Sequence, residues 1–220
     1  MTWPASDDGR LGTPDLGISE DQIVTLAKLV IQGARRTRRL LAGLPGTFDE
    51  NTISIQVHQE IQVIQERLRL GSFEFFPEGI LNRPGRRPLK IEGRIDFKVK
   101  FPHQIGRYAE YYGIECKRIA PRRGSLARYY VRTGVGKYAS GLYAGGHPCA
   151  MLVGYVLAPP SEDVVKDLET RIMREHGGAS PLRVVGWAGQ YRDARIYEGE
   201  LPRAAGSPLR LLHAMVRMHA

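Results

Sequence analysis

Asp96, Glu115 and Lys117 are the residues whose types and spacing could do chemistry. They fall in two short stretches, Arg94-Ile95-Asp96-Phe97-Lys98-Val99 and Tyr112-Gly113-Ile114-Glu115-Cys116-Lys117. Each stretch alternates as a β-strand does, and in a strand residues i and i+2 share a face. Glu115 and Lys117 therefore point one way, while Tyr112, Ile114 and Cys116 point the other. An Asp on one strand beside a Glu and a Lys on the next supplies two carboxylates for a divalent cation. The ammonium then stands beside the attacking water. That set is enough to hydrolyse a phosphodiester. Alone, Glu-x-Lys is also what exposed strands carry as weak surface pairs. The neighbouring Asp96 is what gives the pattern chemical weight.

The elements that must hold these residues can be read outward from them. Leu89 to Val99 and Tyr111 to Ile119 read as adjacent strands, and Phe73 to Phe76 as a further short strand. Upstream, Ser19 followed by Gln22 forms a capping box, and Ile23, Leu26, Ala27, Val30, Ile31 and Ala34 make a helical stripe. Arg35, Arg36, Arg38 and Arg39 load the end of that helix, where cations complement the dipole. A second helix runs from Asp49 or Glu50 to Leu70. Glu60 falls inside its apolar stripe of Ile53, Val57, Ile61, Ile64 and Leu68. An acid there either pairs with an arginine such as Arg94 or reaches a metal site.

Downstream, Ser125 opens a helix to about Tyr143. It is rich in small residues (Gly134, Gly136, Ala139, Ser140, Gly141), which close approach to a sheet or a ligand would justify. Ala150 to Leu157 is a continuous apolar run, as in a strand covered on both faces. Ser161 caps a helix closed by Gly177-Gly178, and Arg183 to Ala188 and Ala194 to Tyr197 read as short strands. Leu209 to Met218 fits a strand or a helix equally by period. Residues 1–18 read as a flexible arm, and 19–220 as a single α/β domain.

The 32 Lys and Arg against 23 Asp and Glu give a net charge of +9, a surplus that favours a polyanionic partner. No apolar run has the length of a membrane span, and the first residues lack a secretory pattern. Cys116 and Cys149 form neither a disulfide framework nor a zinc set, so both are expected as reduced core residues of a cytoplasmic protein.

With Glu60, Asp96, Glu115-Cys116-Lys117, the Ser125 helix and the Met151 strand following in this order, the chain resembles the PD-(D/E)xK phosphodiesterase superfamily over roughly Asp49 to Leu157. It departs from the pattern in carrying Ile95, where a proline commonly precedes the Asp. The resemblance implies a restriction-endonuclease-like fold, a mixed β-sheet flanked by helices, here with an N-terminal helical extension. It implies a Mg²⁺-dependent endonuclease (Mn²⁺ substituting) acting on DNA, with RNA also compatible, in prokaryotic defence, restriction, mobile-element or repair processes. Asp96 would be the principal metal ligand and Glu115 the second. The Cys116 backbone carbonyl would give a third oxygen, and Glu60 would serve a second metal. Lys117 would activate the water and offset transition-state charge. Arg86, Arg87, Arg118, Arg122, Arg123 and Lys137 flank the acids and suit backbone phosphates. Such enzymes work as homodimers or as subunits of larger complexes, and a decayed site would leave a DNA-holding subunit.

Overall fold

Ser19 opens the first helix through the expected reciprocal cap. Its N–H donates to Gln22 Oε1 at 2.8 Å, and the Gln22 N–H donates back to its hydroxyl at 3.3 Å. A computed structural model describes residues 18–45, 47–81, 93–105, 110–143, 148–158, 161–186, 191–204 and 206–219. The N-terminal arm and the loop holding Arg86 and Arg87 lie outside the described residues. Helix α1 spans Glu20–Ala42 and α2 spans Glu50–Leu68. Asp49 caps α2, its Oδ1 accepting from the Thr52 N–H at 2.7 Å. Arg69 ends it in the left-handed conformation, with φ of 53°.

Seven strands form one open sheet: β1 (Glu74–Leu81), β2 (Gly93–Lys100), β3 (Tyr112–Ile119), β4 (Cys149–Val156), β5 (Arg183–Val184), β6 (Ala194–Leu201) and β7 (Leu209–Arg217). Their order across the sheet is β1-β2-β3-β4-β7-β6-β5. The pairings β3 with β4 and β4 with β7 are parallel, and the outer ones are antiparallel. This is a mixed α/β architecture with a mostly antiparallel sheet. The segment Leu209 to Met218, ambiguous by period, is the strand that joins the two halves.

Two apolar cores cover the sheet. On one face α1 and α2 pack onto Phe97, Tyr112, Ile114, Cys116, Met151 and Leu212. On the other, Tyr130, Val135, Tyr138, Leu168 and Ile172 meet Ile95, Leu152 and Leu211. The helices of this second face are α3 (Gly124–Tyr129), a π-helical segment (Tyr130–Val135), α4 (Gly136–Ala139) and α5 (Ser161–Glu175). Strand β4 is buried along its whole length, as its unbroken apolar run requires. Gly178 closes the chain after α5 with φ of +87°. Among the described residues no helix is long and apolar enough to cross a membrane. Both cysteines are buried free thiols.

Candidate active site

Strands β2 and β3 pair with Phe97 opposite Ile114, Lys98 opposite Gly113 and Val99 opposite Tyr112. Continuing that register sets Asp96 across from Glu115, but the ladder stops one step short. There the Asp96 carboxylate takes the place of a backbone acceptor: the Cys116 N–H donates to Asp96 Oδ2 at 2.7 Å. The strands are thus held together at their polar end by a side chain, which brings Asp96 beside Glu115 and Lys117; the flanking Ile95 and Phe97 enter opposite cores, so regular alternation is broken at Asp96.

Lys117 is nearly inaccessible, 4% exposed, and its ammonium is fully engaged. It lies 2.8 Å from Glu115 Oε1 and donates to Glu50 Oε1 at 2.7 Å and to the Cys116 carbonyl at 2.6 Å. The ring of Tyr129 covers it, with 5.5 Å from the nitrogen to the ring centre. Glu50 uses its second oxygen to accept from the Arg118 N–H at 3.0 Å, so it pins the start of α2 to β3. Glu115 also lies 3.8 Å from Lys137 Nζ, which donates to the Tyr143 hydroxyl at 2.5 Å. The Tyr143 hydroxyl in turn donates to the Arg94 carbonyl.

Electrostatically the cluster lacks positive charge. Burial, and then the Asp96 charge, push the Glu115 carboxyl up to about 7 against the pull of Lys117. Burial likewise raises Asp96, offset in part by Lys117 and the Cys116 N–H. Burial disfavours the Lys117 charge, but Glu115, Asp96 and Glu50 outweigh it and hold the ammonium protonated well above the ordinary lysine range. Glu115 Oε2 is buried and finds no hydrogen-bond donor. An orphaned carboxylate oxygen beside a second carboxylate is a place where a hard cation would be stabilised.

The oxygen donors available to such a cation are Asp96, Glu115, Glu50 and the Cys116 carbonyl. Among the described residues no group of three or more His, Cys, Asp or Glu side chains is arranged as a ready metal cage. The reason is visible in the contacts: the Lys117 ammonium already sits on Glu50, Glu115 and the Cys116 carbonyl. A cation could be held by the two strand acids only if Lys117 withdrew from these oxygens.

Glu60 is not part of this cluster. It accepts from Arg36 Nε at 2.5 Å and from Gln56 Nε2 at 3.4 Å, bracing α2 against α1. From Glu50 to Glu60 the helix rises about 15 Å. Arg94, the other partner considered for Glu60, faces Glu78 at 3.7 Å instead. Arg118 turns its guanidinium to the Phe48 carbonyl at 3.1 Å, whereas Arg122 and Arg123 are exposed at the turn leaving β3. Lys137 faces the cluster rather than open solvent. The helix carrying it lies tight on the sheet at Gly134, where a Cβ would stand 3.1 Å from both Leu152 methyl groups and 3.4 Å from Lys117 Cγ. Close approach to the sheet accounts for that small residue.

Glu50 is the site residue that the sequence did not reveal. An acid in the first turn of a helix is ordinary complement to the dipole, and Glu50 fills that role too. Against known families, characterised proteins and solved structures alike, the chain shows no match.

Proposed function

We propose that this protein is a metal-dependent endonuclease of the PD-(D/E)xK, restriction-endonuclease-like type, hydrolysing phosphodiester bonds in DNA. The observation that carries the reading is one cluster on adjacent strands: Asp96 on the Cys116 N–H, Glu115 with its Oε2 buried and unpaired, and Lys117 2.8 Å from its Oε1. A helix acid, Glu50, completes the carboxylate set from a third element. The order of elements supports the same reading: a helix, two antiparallel strands bearing the acids, a helix, then a buried parallel strand.

Asp96 and Glu115 would hold Mg²⁺ or Mn²⁺, with Glu50 and the Cys116 carbonyl in reach. When bound, such an ion supplies charge neutralisation on the phosphate and a more acidic attacking water. Lys117, released from Glu50, orients that water and stabilises charge building on the phosphoryl oxygens. Lys137, partly exposed beside Glu115, and the exposed Arg122 and Arg123 would supply cations for the phosphate backbone.

The test is nicking of supercoiled plasmid with Mg²⁺ and with EDTA. Because Lys117 also braces α2, the informative variants are the isosteres Asp96→Asn and Glu115→Gln, checked for folding by circular dichroism. Each is expected to lower Mg²⁺-dependent nicking at least about a hundredfold. Wild-type nicking by a folded Asp96→Asn variant would falsify the assignment. One specific observation favours a second reading, in which the cluster is only a buried ion-pair brace: all three hydrogen-bonding contacts of the Lys117 ammonium are internal. That reading predicts no metal-dependent cleavage of DNA or RNA by the wild type.

A further inference from the structure

We infer that the cleft between α1 and α2 is a second, non-catalytic binding surface for the phosphate backbone of DNA. The choice of DNA rests on the nuclease reading; the surface itself stands on separate observations.

The two helices cross closely at Gly33, where a Cβ would lie 2.7 Å from Ile61 Cγ1 and 3.1 Å from the Val57 carbonyl. Beyond the crossing, their C-terminal halves bound a cavity of about 340 Å³ with Ile64 and Leu68 in its lining. Arg35, Arg36, Arg39 and Arg67 also line it. Arg38 lies beside them, 3.3 Å from Asp193. Two carboxylates face these five guanidiniums. Asp193 takes Arg35 at 2.9 Å as well as Arg38, and Glu60 takes Arg36 at 2.5 Å. Both carboxylates are nearly buried, so they fix the guanidiniums from the inner side. Arg35 is further steadied over the Tyr191 ring, 5.4 Å from its centre.

Arg39 and Arg67 are exposed and make no ion pair among the described residues. Each sits in the last turn of its helix, where one cation answers the dipole. Arg35, Arg36 and Arg38 are matched by only two carboxylates, Asp193 and Glu60, so five arginines against two acids leave a surplus of three positive charges on the cleft. A like-charged cleft costs repulsion unless an anion enters it. A cavity of this size admits a phosphate group, and guanidinium forks match phosphate oxygens in pairs. A backbone with regularly spaced phosphates satisfies the surplus better than a single anion does.

The experiment measures fluorescence anisotropy of a labelled 30-base-pair DNA duplex in EDTA, across a salt series. The test variant is the double charge reversal Arg39→Glu/Arg67→Glu, and the control is Arg132→Glu/Arg174→Glu, exposed residues beside Glu175 on the other face. The test variant is expected to bind at least about tenfold more weakly and to lose about 2 from the salt slope. The control is expected to change affinity less than about twofold. Equal affinity and slope in wild type and test variant overturn the proposal. So does a duplex RNA of the same length that binds more tightly than DNA through these two arginines. EDTA removes cleavage from the measurement, so failure here leaves the carboxylate site standing. Absence of nicking by the wild type likewise leaves this binding result intact.

Discussion

Lys117 Nζ touches Glu50, Glu115 and the Cys116 carbonyl, the same oxygens that a divalent ion in this place would need. The ammonium behaves as a tethered cation, and replacing Lys117 with Met leaves Glu50 and Glu115 without the cation they share. The expected cost is about 3–5 kcal/mol. Millimolar Mg²⁺ should then raise the melting temperature of Lys117→Met by several degrees more than that of wild type; equal shifts would show that no cation takes the vacated position. Glu115 makes a pH prediction. Its folded value of about 7 lies above its unfolded value near 4.5, so the native state binds the extra proton. Stability from this group is fully present below pH 4.5 and is lost as pH rises through 7, on the order of 3 kcal/mol. His213 runs the other way: burial lowers it to about 3, so its contribution is lost as pH falls below 6.5. In Glu115→Gln the Glu115 contribution is absent, and the melting temperature of the variant relative to wild type should rise from pH 5 to just above pH 7 and then level off. A constant difference would remove Glu115 as the titrating group. Glu115 and Lys117 were legible because strand alternation forces i and i+2 onto one face, and Asp96 because its stretch read as the adjacent strand. Glu50 was not, since nothing in a first-turn acid says that a lysine on a distant strand will reach it. Glu60 stood out for being in an apolar stripe, and that stripe faces a second helix carrying Arg36.

At the scale of elements, the helix over the site is interrupted by a π-helical turn from Tyr130 to Val135. Such turns are rare and often accompany functional sites. This one brings Gly134 down onto Leu152 and the Lys117 stem, while Tyr138, just beyond, donates to the Met151 carbonyl at 2.9 Å and the Gly113 carbonyl at 3.3 Å. A Val at position 134 forces Leu152 and Lys117 to yield. Gly134→Val should lose about 1–3 kcal/mol in urea unfolding and lower nicking at least about tenfold. Full stability with full activity would show that the helix has room to spare. The glycine content of this helix announced a close approach in the sequence; the π turn did not, because a change from i+4 to i+5 bonding leaves no periodic mark in six residues. Helix α1 was legible down to its reciprocal Ser19–Gln22 cap, since those bonds are local. Strand β5 pairs over Arg183–Val184, with the Val185 N–H still donating to the Ile196 carbonyl at 2.9 Å, and its expected end at Ala188 lies outside the described residues.

For the whole molecule, the mixed α/β class followed from the order of apolar runs, and the position of the tail did not. Residues after Leu157 had no place in the resemblance, yet they build β5, β6 and β7, with β7 lying between β4 and β6. Its side chains serve both cores, Leu212, Ala214 and Val216 on one side and Leu209, Leu211 and Met215 on the other. Burial on two faces erases the alternation that would have marked it as a strand. This placement governs the timing of assembly. While the chain is still being made, β1 to β4 can come together, but β4 presents a bare, wholly apolar margin until Leu209–Arg217 emerges from the ribosome. An interrupted translation product ending before Leu209 would carry that margin into the cell, an open template for strand addition by any neighbouring chain.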